Sequence, residues 1–82
     1  MKRILRFTAS WCNPCKSLAS NLSEVDARIP VEVIDIDVYP EVAAEYGIRS
    51  VPTLVMLNEN IEVKRVVGVK TTRELKEWVY ND

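Results

Sequence analysis

The chain has 82 residues, of which 48% are hydrophobic and 28% charged, with two Gly and four Pro. That is enough to bury roughly 63% of the unfolded surface around one core, and too little for a second domain. Eleven Lys and Arg against twelve Asp and Glu leave a net charge of −1, and no run of like charges marks a nucleic-acid arm or a membrane patch. The longest apolar run, Val51 to Leu57, is broken by Pro52 and Thr53 and falls far short of a membrane span. Lys2, Arg3 and Arg6 leave no room for the apolar region of a signal peptide, so the cytoplasm is the expected location. There is no histidine, which removes His-based acid–base and nucleophile chemistry and most catalytic zinc sites. Cysteine or carboxylate chemistry remains.

In chain order, Ile4 to Thr8 is β-rich and feeds a turn-like stretch, Ala9 to Cys15. From Cys12, Leu18, Leu22, Val25 and Ile29 recur at helical spacing, with Pro14 in the first turn and Pro30 closing the run. Val31 to Asp37 predicts a second strand, Ile34 and Ile36 on one face, Val31, Val33 and Asp35 on the other. A helix between two consecutive strands implies a right-handed parallel crossover. Pro40 opens a short helix through Tyr46, capped by Gly47. After a loop to Pro52, Thr53–Leu57 and Ile61–Val67 predict an antiparallel hairpin around Asn58-Glu59-Asn60. Thr71 to Glu74 fits a capping box for a last helix whose apolar stripe is Leu75, Trp78 and Val79. Glu59, Glu62, Lys64 and Arg73 read as solvated surface. The order is βαβαββα: one α/β domain over residues 1–82, with a four-stranded mixed sheet flanked by three helices.

Both cysteines lie in Cys12-Asn13-Pro14-Cys15. On the first turn of a helix this spacing brings two sulfurs within disulfide reach, and the partial positive charge of the helix N-terminus favours a thiolate on the first. Cys12 is then the candidate nucleophile, and Cys15 resolves the mixed disulfide that it forms. The competing readings are a buried packing pair and a metal site. The latter needs about four ligands where one chain offers two thiols, so only an intersubunit site would serve.

Trp11-Cys12-Asn13-Pro14-Cys15-Lys16 resembles the thioredoxin signature Trp-Cys-Gly-Pro-Cys-Lys, with Asn for Gly. Tyr46-Gly47-Ile48-Arg49-Ser50-Val51-Pro52-Thr53-Leu54 resembles the thioredoxin segment around its cis-proline. Running from the first strand to Trp78, the resemblance implies a minimal thioredoxin fold, of glutaredoxin-like length. It also implies a redox pair of Cys12 and Cys15, with no cofactor beyond that disulfide and no metal. Trp11 would cover the site, Pro52 would be cis and face the disulfide, the Val51 backbone would hydrogen-bond an extended substrate, and Gly68 and Val69 would form the far wall. Asn13, Pro14 and Lys16 would tune the redox pair. Trp11 as an ordinary half-buried aromatic, Pro52 as strand punctuation and Gly68 as a plain turn are the structural alternatives.

The departures from the family lie beneath the second cysteine. The buried Asp of thioredoxins falls at Arg6, and the Lys that accompanies it falls at Val33, so Asp35 or water would have to handle the proton. Arg6 either favours a cysteine thiolate or lays its stem across the sheet toward Asp35 or solvent with no effect on sulfur. The chain also starts at what would be a thioredoxin's second strand, which predicts an exposed sheet edge near Val31 to Asp37. The implied function is reduction of protein disulfides by a cytoplasmic monomer recharged by a thioredoxin-reductase-like donor, without nucleic-acid or membrane partners. A glutathione-dependent, glutaredoxin-like enzyme and a non-catalytic module that clamps a partner in the Pro52 groove are the alternatives.

Overall fold

A computed structural model describes residues 1–26 and 28–81. Its elements are β1 (Lys2–Thr8), α1 (Asn13–Ser23), β2 (Val31–Asp35), α2 (Pro40–Glu45), β3 (Thr53–Asn58), β4 (Ile61–Val67) and α3 (Thr72–Tyr80). The sheet order is β2-β1-β3-β4. β1 runs parallel to β2, with Arg6 opposite Val33 and Thr8 opposite Asp35, and antiparallel to β3. β3 pairs antiparallel with β4 through an irregularity at Met56/Leu57.

Alternation along the two central strands divides the core between the faces of the sheet. Ile4, Leu54 and Met56 pack with Leu18 and Leu22 of α1 and Leu75 and Val79 of α3. Leu5, Phe7, Val55 and Leu57 pack with Ile34 on the other face, where Val42 and Tyr46 of the α2 region join them. Since β3 is covered on both sides, five of its six residues are buried, which explains an apolar run in place of an alternating one. β2 is an edge strand, and Val31 and Val33 lie open on it, as the sequence leads one to expect.

Several element ends differ from the sequence reading. α1 stops at Ser23, so Val25 and Ile29 pack against the core from the following loop. Ala27, within the predicted helix, lies outside the described residues. The last carbonyls of α1 are diverted: that of Asn21 accepts the Glu24 N–H (3.2 Å) and that of Leu22 the Val25 N–H (3.0 Å), while that of Ser20 takes the Ser23 hydroxyl. β2 ends at Asp35 because the Asp35 carbonyl accepts from Val38 and Tyr39, forming a turn. α2 ends one residue before Tyr46. There Gly47, at φ 63°, donates to Ala44, and Ile48 to Ala43. This is a Schellman close that needs a left-handed residue. Asn58 belongs to β3, and the hairpin turn is Glu59-Asn60 alone, both at positive φ, as a two-residue turn of type I′ requires. Lys64 is not free surface: its ammonium donates to the carbonyls of Trp78 and Asn81 and sits 5.3 Å from the Trp78 ring centre.

Candidate redox site

The site forms where β1 gives way to α1. The Ala9 carbonyl accepts the Cys12 N–H at 3.1 Å, turning the chain so that Cys12 becomes the N-cap of α1, with Pro14 in its first turn. The Cys15 N–H, a donor the helix itself leaves unpaired, points at Cys12 Sγ over 3.2 Å. The two cysteines are joined as a disulfide with Cα atoms 5.3 Å apart. Cys12 and Cys15 are both buried with Ala9, and Ile36 and Val51 pack against the three.

The second predicted motif is brought to the same place. The Val51–Pro52 bond is cis, as the resemblance implies, and Pro52 is buried. The Pro52 carbonyl accepts the Gly68 N–H at 2.9 Å, which ties the end of β4 to the start of β3. Gly68 stands at φ 90° with no atom near its absent Cβ, so backbone conformation, not crowding, calls for glycine there. The Thr53 hydroxyl holds the Ser50 carbonyl at 2.8 Å. Val51, half-buried beside the cysteines, has neither its N–H nor its C=O in a hydrogen bond among the described residues. Val69 follows Gly68 and is exposed.

Trp11 is 66% exposed, and its indole N–H donates to Asp37 Oδ2 at 2.9 Å. Asn13, Pro14 and Lys16 are exposed on the first turn of α1. Arg6, Thr8, Cys15, Lys16 and Asp35 line a cavity of about 240 Å³. Burial pulls the Arg6 guanidinium below its ordinary value. One Asp35 carboxylate oxygen accepts the Asp37 N–H at 2.8 Å.

Ile36 and Asp37 escape the sequence reading. Ile36 appears there only as a strand residue and Asp37 not at all as a site residue, yet the turn after β2 brings the first onto the disulfide and the second onto Trp11. The available signal was parallel pairing of β1 with β2, which sets both strand ends at the same end of the sheet. Among the described residues no group of three or more His, Cys, Asp or Glu is placed to hold a metal ion. No helix among them is long and apolar enough to cross a membrane.

The thioredoxin family profile matches residues 1–81. Thioredoxin C-3 of Corynebacterium nephridii is 39% identical over 74 residues, covering 87% of this chain and 51% of that protein. Thioredoxin of Bacillus subtilis strain 168 is 39% identical over 77 residues, covering 89% and 74%. Among solved structures, a mutant thioredoxin from Halobacterium salinarum NRC-1 superposes with a TM-score of 0.84 at 33% identity, over 95% of this chain and 71% of that one. The chain therefore belongs to the thioredoxin family, and its Cys12 and Cys15, at CxxC spacing, are joined as a disulfide. It spans about half the length of the C. nephridii relative and about three quarters of the B. subtilis one.

Proposed function

We propose that this chain, acting as a single domain over residues 1–82, reduces disulfides in extended protein segments, with Cys12 as nucleophile and Cys15 as resolving thiol. The observation that carries the reading is the helix-terminal N–H of Cys15 directed at Cys12 Sγ. The same donor, with the dipole of α1, stabilises negative charge on that sulfur once the disulfide opens. The Cys12 thiolate attacks a substrate disulfide, forming a mixed disulfide and expelling one substrate thiolate. The sulfur of Cys15 then attacks Cys12, restoring the internal disulfide and releasing the second.

The unpaired N–H and C=O of Val51 suit addition of a substrate strand beside Pro52, with Gly68 and Val69 as the far wall and Trp11 as the near one. Asn13, Pro14, Lys16 and Asp35 set the reduction potential. The partners are disulfide-bearing proteins and a thioredoxin-reductase-like electron donor. The protein works as a monomer in the cytoplasm, where the donor pool keeps thiols reduced. The test is turnover of a disulfide-bonded protein with dithiothreitol as electron source. Wild type should accelerate reduction, and the Cys12→Ser, Cys15→Ser double variant should not. Equal rates with and without wild type would refute the catalytic reading and leave a module that clamps partners in the Pro52 groove.

A further inference from the structure

Arg6 occupies an unusual position. It lies on a central strand, where it lines both the cavity that reaches Cys15 and a second one walled by Ala19, Leu22, Val25 and Val33, it is only partly exposed, and among the described residues its side chain has no ion pair or hydrogen bond. A half-buried guanidinium normally finds a carboxylate or carbonyls, because desolvating it without compensation is costly. The charged groups around the cavity are Arg6 of β1, Lys16 of α1 and Asp35 of β2. Lys16 is exposed. Asp35 has one oxygen engaged by the N–H of Asp37, and no ion pair joins it to Arg6. Across the ladder, Arg6 faces Val33, which offers no charge. In the disulfide state, then, two cations, Arg6 and Lys16, stand around the cavity against the single carboxylate of Asp35, and Arg6 is in no ion pair among the described residues.

We propose that Arg6 is a positioning residue for the resolving step, the counter-ion of a Cys15 thiolate that exists only while the Cys12–Cys15 bond is open. The inference rests on the reading of Cys12 as nucleophile and Cys15 as resolving thiol. Reduction of Cys12–Cys15 by an external dithiol adds two electrons, breaks the S–S bond and oxidises the dithiol to its disulfide. The negative charge left on Cys15 then appears in the cavity that Arg6 lines. When Cys12 later carries a mixed disulfide, the Cys15 thiolate attacks Cys12 Sγ. The Cys12–Cys15 bond forms, the bond from Cys12 to substrate breaks, and the electron pair leaves on the substrate thiolate, which takes its proton from solvent. No carboxylate is needed to remove a proton from Cys15, because the thiol is ionised beforehand. Stabilising the reduced form also makes the protein more oxidising than it would be without the cation.

The experiment titrates the thiolate absorbance of Cys15, the only remaining cysteine, in Cys12→Ser protein carrying Arg6, Arg6→Met or Arg6→Lys. Removing the charge should raise the Cys15 ionisation by about one unit or more, a tenfold loss of thiolate at a given pH below it, and Arg6→Lys should restore most of it. Asp35→Asn, which removes a carboxylate from the same cavity, should shift Cys15 the opposite way. In proteins with both cysteines, equilibration with glutathione should show Arg6→Met holding its disulfide about tenfold more firmly, a potential about 30 mV more negative. Superimposable titrations of Arg6 and Arg6→Met proteins, or a shift that Arg6→Lys does not reverse, would overturn the proposal. If near-ultraviolet circular dichroism shows Arg6→Met unfolded, Arg6→Gln against Arg6→Lys gives the same comparison. Titration of Cys15 needs no substrate, so failure of wild type to reduce protein disulfides would sink the functional reading while leaving this result readable.

Discussion

The indole N–H of Trp11 donates to Asp37 Oδ2 across 2.9 Å, linking the residue before Cys12 to the turn after β2. An aromatic that is two-thirds exposed would otherwise sample several rotamers; the carboxylate fixes it in one. Trp11→Ala should lower kcat/KM for a protein disulfide by about fivefold or more, the scale of an aromatic contact at an interface. Asp37→Ala should give a smaller loss of the same kind, accompanied by a change in Trp11 fluorescence anisotropy. Unchanged anisotropy in Asp37→Ala would show that the bond does not hold the ring.

The two thiols should behave differently. Cys12→Ser should abolish turnover, whereas Cys15→Ser should accumulate a mixed disulfide through Cys12, visible as an intact-mass adduct equal to the substrate. In the reduced wild type, limited alkylation should label Cys12 before Cys15, because the Cys15 N–H and the start of α1 support charge on Cys12. Faster labelling of Cys15 contradicts the assignment.

Gly68 couples stability to the groove. Its φ of 90° lies where a side chain costs about 1–2 kcal/mol, and its N–H secures the Pro52 carbonyl. Gly68→Ala should lower the denaturation midpoint by an amount consistent with that cost and raise KM for protein substrates more than for a small disulfide. Equal effects on both substrates would place the loss in folding alone.

A pH dependence follows from α3. The backbone N–H of Thr71 donates to Glu74 Oε1 at 3.0 Å, and the Glu74 N–H to Thr71 Oγ1 at 3.1 Å. The bonds from Thr71 hold the Glu74 carboxyl below its usual 4.5. A carboxyl depressed in the folded state contributes stability above its unfolded value and loses it as pH falls through the folded one. Glu74→Gln should therefore unfold more readily than wild type at neutral pH, with the difference shrinking below pH 4.5. Urea denaturation at several pH values checks this, and a difference independent of pH would remove the carboxylate from the explanation.

The elements and both site motifs were legible because each is encoded locally. Pro14 opens a helix, Gly47 closes one, the Thr71 to Glu74 box starts another, and alternation assigns Ile4 and Leu5 to opposite layers. What was not legible depends on where strands end relative to one another. Asp37 reaches Trp11 only because β2 stops at Asp35 and turns, and Lys64 leaves the solvent only because α3 brings Trp78 and Asn81 to it. Val25 and Ile29 kept the apolar spacing of α1 beyond its end, since a loop that must cover the same core needs the same residues.

The hairpin turn has a consequence for how the domain can be joined to other things. The Met1 amine pairs with Glu59, the Glu59 N–H returns to the Met1 carbonyl, and Lys64 gathers the Trp78 and Asn81 carbonyls close by. β1 starts at this pole and ends at the opposite one, beside the disulfide. Met1 and Asn81 therefore lie behind the face that carries the disulfide, like a handle behind a blade. A surface anchor, a fluorescent fusion or a second folded unit attached at either point leaves the approach to Cys12 clear.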